Sequence, residues 1–192
     1  MNRLFSVLPT LFILFSCGQE QLTPKPPTYR RLELPEAVYE NYEDDCGYSF
    51  KLNNNYSVEK APVQNQGFNC HRRIQLGDLN GTIFFRFMKM EEPVAFYINN
   101  SIDEVEVHQV KATNIKDKKI IRQEDRVFGT VFELQGDVAT PFQFYLTDST
   151  DQFIYAEILF NSRPNYDSLK PSLDYLKKDL DTLLNTFKWP KQ

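Results

Sequence analysis

The sequence predicts an α+β domain in which two helices cover a mainly antiparallel sheet. Short runs that alternate apolar and polar residues are separated by turn sequences, and such short links join antiparallel strands. Near the end of the chain, leucines recur at spacings of three and four residues, which is the period of one helix face. The aromatic share of 14% agrees with a strand-rich core.

Strands are predicted wherever apolar and polar residues alternate. The clearest pattern covers residues 82–90, where Ile83, Phe85 and Phe87 define one apolar face. The last four predicted strands are separated only by short turn sequences, which predicts an antiparallel meander. The complete set of predicted strands is 48–52, 56–59, 71–76, 82–90, 119–123, 126–134, 142–147 and 152–161.

Two helices are predicted from different signals. Ser101 and Glu104 have the spacing of a capping box, which predicts a helix over residues 102–112. The second helix is predicted from a single apolar stripe near the end of the chain. The stripe consists of Leu169, Leu173, Leu176, Leu180, Leu183 and Phe187.

Local signals set the expected limits of these helices. Ser168 or Asp167 is the expected N-cap of the second helix. Pro171 is expected in its first turn, where the missing N–H carries no cost. The charged segment 116–119, which follows the first predicted helix, is interpreted as a solvated turn.

The beginning of the chain predicts export and a lipid anchor. Residues 1–16 combine a basic head with an apolar run too short to cross a bilayer, as in a signal peptide. The run ends in the letters LFSC, which resemble a bacterial lipobox with Cys17 as the acylated N-terminus. Ordinary cleavage that leaves Cys17 free is the alternative. Prolines over residues 17–28 predict an extended tether, and residues 29–192 are predicted to form a single domain.

The two remaining cysteines predict a disulfide. Cys46 and Cys70 form an even pair in a chain that is predicted to enter an oxidising compartment. A metal site that combines both cysteines with His71 and one of Asp44 or Asp45 is the alternative. The chain lacks the closely spaced cysteine pair that zinc sites normally show, so no metal is predicted.

Charge and motifs argue against two functional classes. The formal net charge of −4 predicts no surface for nucleic acid. The chain has no phosphate-binding glycine loop, no nucleophile elbow and no zinc-binding helix motif, so neither an enzyme nor a cofactor is predicted. Carboxylates do cluster at Glu43, Asp44 and Asp45 and again at Asp148 and Asp151. We interpret both clusters as turn residues, with a hydrolase of envelope polymers as the alternative.

The order of these features resembles one family. Its members share a lipobox cysteine, here Cys17, followed by the stretch 29–35, Cys46 and a strand around Gly129. Two further stretches are specific: QFYLTDS at 143–149, and the final helix with the ending FKW at 187–189. Together they resemble the gliding-motility lipoprotein GldD family of Bacteroidota.

The resemblance implies a cell-envelope lipoprotein that is needed for gliding and linked to type IX secretion. Its implied partners are other gliding and secretion proteins of the envelope, together with the membrane that holds its lipid, and it brings no catalytic residues. The order of strands and helix is also similar in outline to the PsbP/Mog1 sandwich, which by itself supplies no function.

Two further expectations concern location and an alternative function. The outer membrane is favoured for the anchor. Because GQEQ at 18–21 lacks the acidic run associated with surface export, the folded domain is expected in the periplasm. A periplasmic ligand-binding or chaperone-like module is the alternative function, since the chain contains 16 Phe and 10 Tyr.

Overall fold

The computed structural model describes residues 33–62 and 70–190. They form an α+β domain with antiparallel sheets and two α-helices, which confirms the predicted fold class. The predicted signal peptide 1–16, Cys17 and the tether over 17–28 lie outside the described residues.

The strands form two antiparallel sheets. A two-stranded sheet pairs β1 (Tyr39–Glu43) with β2 (Ser49–Asn53). A seven-stranded sheet has the order β3-β4-β5-β9-β8-β7-β6. Its strands are β3 (Ser57–Lys60), β4 (Arg72–Gln75), β5 (Gly81–Lys89), β6 (Ala112–Arg122), β7 (Val127–Gly136), β8 (Phe142–Thr147) and β9 (Gln152–Phe160). The predicted meander is confirmed, because β6 to β9 pair consecutively.

The large sheet has two different faces. The inner face carries the apolar residues of β5, Ile83, Phe85 and Phe87, and packs against the second helix, α2 (Tyr166–Thr186). The outer face carries Arg86 and Met88 of the same strand, since side chains alternate along a strand. The main core therefore lies between the inner face, α2 and the small sheet.

The first helix, α1 (Val94–Glu106), lies on the outer face and begins earlier than predicted. Its N-cap is Pro93, whereas Ser101 is a buried residue inside the helix and donates a hydrogen bond to the carbonyl of Tyr97 at 2.9 Å. The capping-box interpretation of Ser101 and Glu104 is therefore wrong. The same residue types also occur within helices, where a serine hydroxyl bonds back to the preceding turn.

The second helix, α2 (Tyr166–Thr186), carries the predicted leucine stripe, but its N-cap differs. The side chain of Asn165 accepts a hydrogen bond from the backbone N–H of Ser168, so neither Ser168 nor Asp167 is the cap. The helix therefore starts earlier than expected, and Pro171 lies inside it rather than in its first turn. Pro171 is exposed, so water can solvate the carbonyl group that its missing N–H leaves without a helical donor.

The predicted charged turn over 116–119 is also wrong, because these residues belong to β6. β6 is an edge strand, and most of its side chains are exposed to solvent. An edge strand tolerates lysines at positions where a central strand would require apolar residues. For the same reason the sequence pattern does not predict β1, which also lies at an edge.

The chain after α2 closes the core. Phe187 follows the helix instead of continuing its stripe as predicted, and its ring is completely buried. The ring lies 6.1 Å from that of Tyr48 and 4.8 Å from that of Trp189. Lys188 and Ser49 exchange two backbone hydrogen bonds of 2.7 and 3.0 Å. The C-terminal segment is thereby fastened to β2.

Replacement of Phe187 tests the importance of this closure. We expect Phe187→Ala to lower the free energy of unfolding by about 4 kcal/mol, because it leaves a cavity in a packed aromatic cluster. Phe96→Ala is the matched control, since Phe96 is 52% exposed, and its effect should be below about 1 kcal/mol. Chemical denaturation measures both values. Equal losses for the two variants would contradict the proposed role of Phe187.

Candidate interaction surface

Cys46 and Cys70 form a disulfide in the structure, with a Cα–Cα distance of 5.9 Å. The bond links the turn between β1 and β2 to Cys70, which lies two residues before β4 (Arg72–Gln75). Since both sulfurs are used in the bond, neither cysteine provides the thiolate ligand that the alternative metal site requires.

The acidic residues beside the disulfide hold a buried arginine. Arg72 Nε donates to Asp44 Oδ2 at 2.6 Å, and its Nη2 donates to Asp44 Oδ1 at 2.7 Å and also to Asp45. Tyr42 donates its hydroxyl to the same Asp44 carboxylate at 2.6 Å. Burial, together with this hydrogen bond, raises the pKa of Tyr42 to about 12. These contacts give Asp44 a structural role.

The two histidines have ordinary structural environments. Burial and the nearby Arg86 and Arg72 lower the pKa of His71, which favours its neutral form. Because Cys70 is in the disulfide, His71 has no thiol beside it to activate. His108 Nε2 lies 2.9 Å from Thr140 Oγ1 in a hydrogen bond.

Asp148 organises the turn between β8 and β9. Its Oδ1 accepts backbone hydrogen bonds from Thr150, Asp151 and Gln152 at 2.9 to 3.0 Å. Burial acts to raise the pKa of Asp148, but these hydrogen bonds outweigh it and lower the pKa to about 2. Asp151, the other carboxylate of the predicted cluster, is exposed. Turn formation therefore accounts for Asp148.

A buried carboxylate on α2 is the centre of a polar network that the sequence analysis missed. Asp179 accepts hydrogen bonds from Tyr39 at 2.6 Å, from Asn53 at 3.1 Å and from the hydroxyl of Tyr56. Tyr175 accepts a second hydrogen bond from Asn53 at 3.0 Å. The network joins α2 to the first three strands of the domain.

One signal could have revealed this network. Asp179 lies three residues after Leu176 and four before Leu183, so it shares the apolar face of the helix. A carboxylate at such a position is buried and needs hydrogen-bond donors. Its donors come from distant parts of the chain, however, and the spacing alone does not identify them.

An open groove lies beside α1 on the outer face of the large sheet. We call it the α1 groove; its cavity measures about 300 Å³. It is lined by side chains from α1, β5 and β9. Those that matter here are Arg86, Met88, Phe96, Tyr97, Phe153 and Tyr155.

Aromatic rings and an arginine shape the α1 groove. The guanidinium of Arg86 lies 5.5 Å from the ring centroid of Tyr155 and forms an ion pair with Glu157. The ring of Tyr97 lies 5.4 Å from that of Phe153 and meets the ring of Phe96 edge-on at 5.5 Å. Since Phe96 remains half-exposed, the groove presents aromatic surface to solvent.

The sequence pattern does not reveal this groove, because it predicts a later start for α1 than the structure shows. A helix that starts at residue 102 excludes Phe96 and Tyr97, which supply one wall. The other wall comes from residues on two strands that are paired in the sheet but distant in sequence. Only the paired strands and the helix together create the surface.

Comparison with known proteins identifies the family. The profile of the family described as gliding motility lipoprotein GldD matches residues 19–189. The chain belongs to this family. The resemblance that the sequence predicts is thus confirmed, and this GldD family member is a gliding motility lipoprotein of the cell envelope. No curated protein shows a significant match to the chain.

A structural comparison gives a more distant likeness. The solution structure of CyanoP, the cyanobacterial PsbP of Synechocystis sp. PCC 6803, is 13% identical in sequence with a TM-score of 0.39. The match covers 76% of this chain and 93% of that chain.

Among residues 33–62 and 70–190, no helix of this GldD family member is long and apolar enough to cross a bilayer.

The contribution of the Asp148 carboxylate to stability can be tested by varying the pH. Its folded-state pKa is below its usual value of 3.8, so its stabilisation is present above about pH 4 and is lost as pH falls toward 2. Asp148→Asn should lower the free energy of unfolding at pH 7 by about 2 kcal/mol, and the difference from wild type should narrow over that interval. Exposed Asp151→Asn is the control and should change little. A constant deficit from pH 7 to 2 would show that the charge of Asp148 has no such role.

The disulfide provides a second test. The double variant Cys46→Ser with Cys70→Ser removes a cross-link between residues 24 positions apart and should cost about 3 kcal/mol of stability. Denaturant titration measures the loss. Reductant should shift the wild-type midpoint by a similar amount and leave the double variant unchanged. An unchanged wild-type midpoint in reductant would disprove the contribution of the bond.

Proposed function

We propose that this lipoprotein is a non-enzymatic assembly component of the gliding motility and type IX secretion machinery. The family supplies the link to gliding. The observation that carries the assembly role is the α1 groove, where Phe96 presents an aromatic ring that is 52% exposed. In this function the folded domain binds other envelope proteins of the machinery through that groove.

The composition of the α1 groove favours a protein partner. Tyrosine, phenylalanine, methionine and arginine are enriched at the centres of protein interfaces, and all four line this surface. Its volume of about 300 Å³ is at the lower limit of small-molecule pockets. A partner that inserts one or two apolar side chains fits such a shallow groove.

The buried acidic residues of the domain support the non-enzymatic proposal. Asp44 is held by Arg72, and Asp148 by the backbone of its own turn. Asp179 is held by two tyrosines and an asparagine. Carboxylates whose oxygens are occupied by several fixed hydrogen bonds within the protein are poorly placed to exchange protons with a substrate.

The lipid anchor and the location are part of the same proposal. Cys17 carries the lipid, residues 17–28 form a tether, and residues 29–192 fold as one domain on the periplasmic side of the outer membrane. The disulfide supports an exported location, because such bonds persist in oxidising compartments. The anchor holds the domain at the membrane, where its local concentration near membrane-bound partners is high.

A ligand-binding or chaperone-like module is the second candidate function. The apolar cavity of the α1 groove is the observation that favours it, since a small apolar ligand would contact Phe153 and Tyr155. Such a ligand would raise the unfolding temperature of the protein in proportion to its occupancy.

Crosslinking followed by affinity purification from native membranes tests the proposal. We expect motility or secretion subunits, identified by mass spectrometry, to be recovered with the wild type. Phe96→Ala should reduce their recovery about fivefold or more, because an aromatic ring at an interface centre contributes about 1 to 2 kcal/mol. Cys17→Ala should reduce recovery by releasing the protein from the membrane.

Val110→Ala is the matched control, because Val110 is also exposed but lies outside the α1 groove. It should leave recovery unchanged. If Phe96→Ala and Val110→Ala recover the same subunits in equal amounts, the groove is not the docking surface. If a small molecule co-purifies with the wild type and no subunit does, the ligand-binding function replaces the assembly role.

A further inference from the structure

The free edge of β6 has the backbone geometry of a docking site. β6 is the last strand of the seven-stranded sheet and is eleven residues long. No strand among the described residues pairs with its outer edge. Its pairing with β7 is regular from Asn114 to Arg122, after an irregularity at Ala112. An extended edge of this kind offers unpaired N–H and C=O groups to another strand.

The charge of this edge is strongly one-sided. Between residues 116 and 119, three lysines accompany a single acid, Asp117. Lys118 forms an ion pair with Asp181 of α2 at 2.8 Å. Lys116 and Lys119 take part in no ion pair with the described part of the chain. They face opposite sides of the sheet, because side chains alternate along the strand.

This charge distinguishes between possible occupants of the edge. Two copies of β6 would bring their lysines close together, and like charges on paired strands are destabilising. A second copy of the chain is therefore disfavoured. A strand with carboxylates on both faces would instead meet Lys116 on one face and Lys119 on the other, and opposite charges across strands are stabilising.

The opposite edge of the sheet offers no comparable site. It is formed by β3 (Ser57–Lys60), which has only four residues. Its neighbouring Glu59 and Lys60 have opposite charges and give no net preference. Short edge strands are one way in which proteins avoid strand addition. β6 is the edge with enough length for a stable pairing.

An exposed apolar side chain on β6 would select an apolar residue at one position of the added strand. Ile121 of β6 is 66% exposed and is the register partner of Phe128, which is half-buried. An apolar residue on an added strand would cover Ile121 and extend this pair across the edge. The edge thus combines backbone groups, two lysines and one apolar position.

We propose that the β6 edge binds an extended, acidic segment of a partner protein as an additional strand of the large sheet. Main-chain hydrogen bonds provide affinity, and Lys116 and Lys119 select carboxylates. This surface is separate from the α1 groove, so the two sites can bind simultaneously or be lost independently.

A designed peptide tests the proposal with the full chain in detergent. The probe is a fluorescent peptide of about ten residues in which pairs of glutamates alternate with threonine–valine pairs, so that carboxylates lie on both faces of the added strand. Fluorescence polarisation should show binding that weakens with added salt. A peptide with lysine in place of glutamate should not bind, and neither should an acidic peptide whose amides are N-methylated along both edges of the strand. Equal binding of the methylated peptide, or no binding of the acidic one, would overturn strand addition.

Charge reversal locates the site. Lys116→Glu with Lys119→Glu should weaken binding of the acidic peptide about tenfold or more. The control Lys51→Glu with Lys178→Glu makes the same change in net charge at exposed positions outside β6 and should weaken it less than threefold. If both double variants weaken peptide binding equally, net charge alone explains the effect, and the proposal is overturned.

Hydrogen exchange provides a readout that does not depend on the variants. Amides of residues 112–122 should exchange more slowly when the acidic peptide is bound to the wild-type chain. Protection at α1 instead of β6 would assign the peptide to the α1 groove and overturn the edge site. Should the Lys116→Glu, Lys119→Glu variant fail to fold, this measurement and the methylated peptide decide the question.

Discussion

The leucine face of α2 (Tyr166–Thr186) against the inner face of the large sheet is the contact on which the rest of the domain depends. Leu173, Leu176, Leu180 and Leu183 are all buried there. Each buried leucine contributes about 2 kcal/mol, and in proteins most of the stability of a helix comes from the packing of its apolar face. Helix and sheet therefore stabilise each other. The small sheet closes the remaining side of the same core.

The buried polar groups determine how these apolar layers are aligned. Asp179 projects from the apolar face of α2 and is satisfied by Tyr39, Asn53 and Tyr56, one residue from each of the first three strands or their ends. A buried hydrogen bond adds modest net stability, but leaving a buried polar group without its partner is costly. A displaced α2 would leave some of these groups without partners, so the network favours the observed arrangement.

The two faces of the large sheet have different roles. The inner face is largely covered by α2 and the small sheet. The outer face is covered only in part by α1, and the aromatic residues at its margin form the α1 groove. The free edge of β6 (Ala112–Arg122) is a further exposed surface. This division suits the proposed assembly role, because contact surfaces can be used without disturbing the core.

The sequence by itself determined the elements whose apolar residues recur with a regular period. β5, β7, β8, β9 and α2 were all predicted, because one face of each carries the apolar residues that meet the main core. The family could likewise be predicted, since it rests on contiguous motifs. The lysine-rich half of β6 and the start of α1 were not predicted. An edge strand shows no such period, and Ser101 fits both a cap and a helix interior.

Only the tertiary structure decided which distant side chains meet. Tyr39 and Asp179 are 140 residues apart, and the spacing around either one does not name the other. The α1 groove depends in the same way on one helix and two paired strands, so no single segment shows it. A local sequence pattern indicates whether a residue is buried. Which residues it contacts, and which surfaces form, depends on how whole helices and strands pack, and long-range contacts determine that packing.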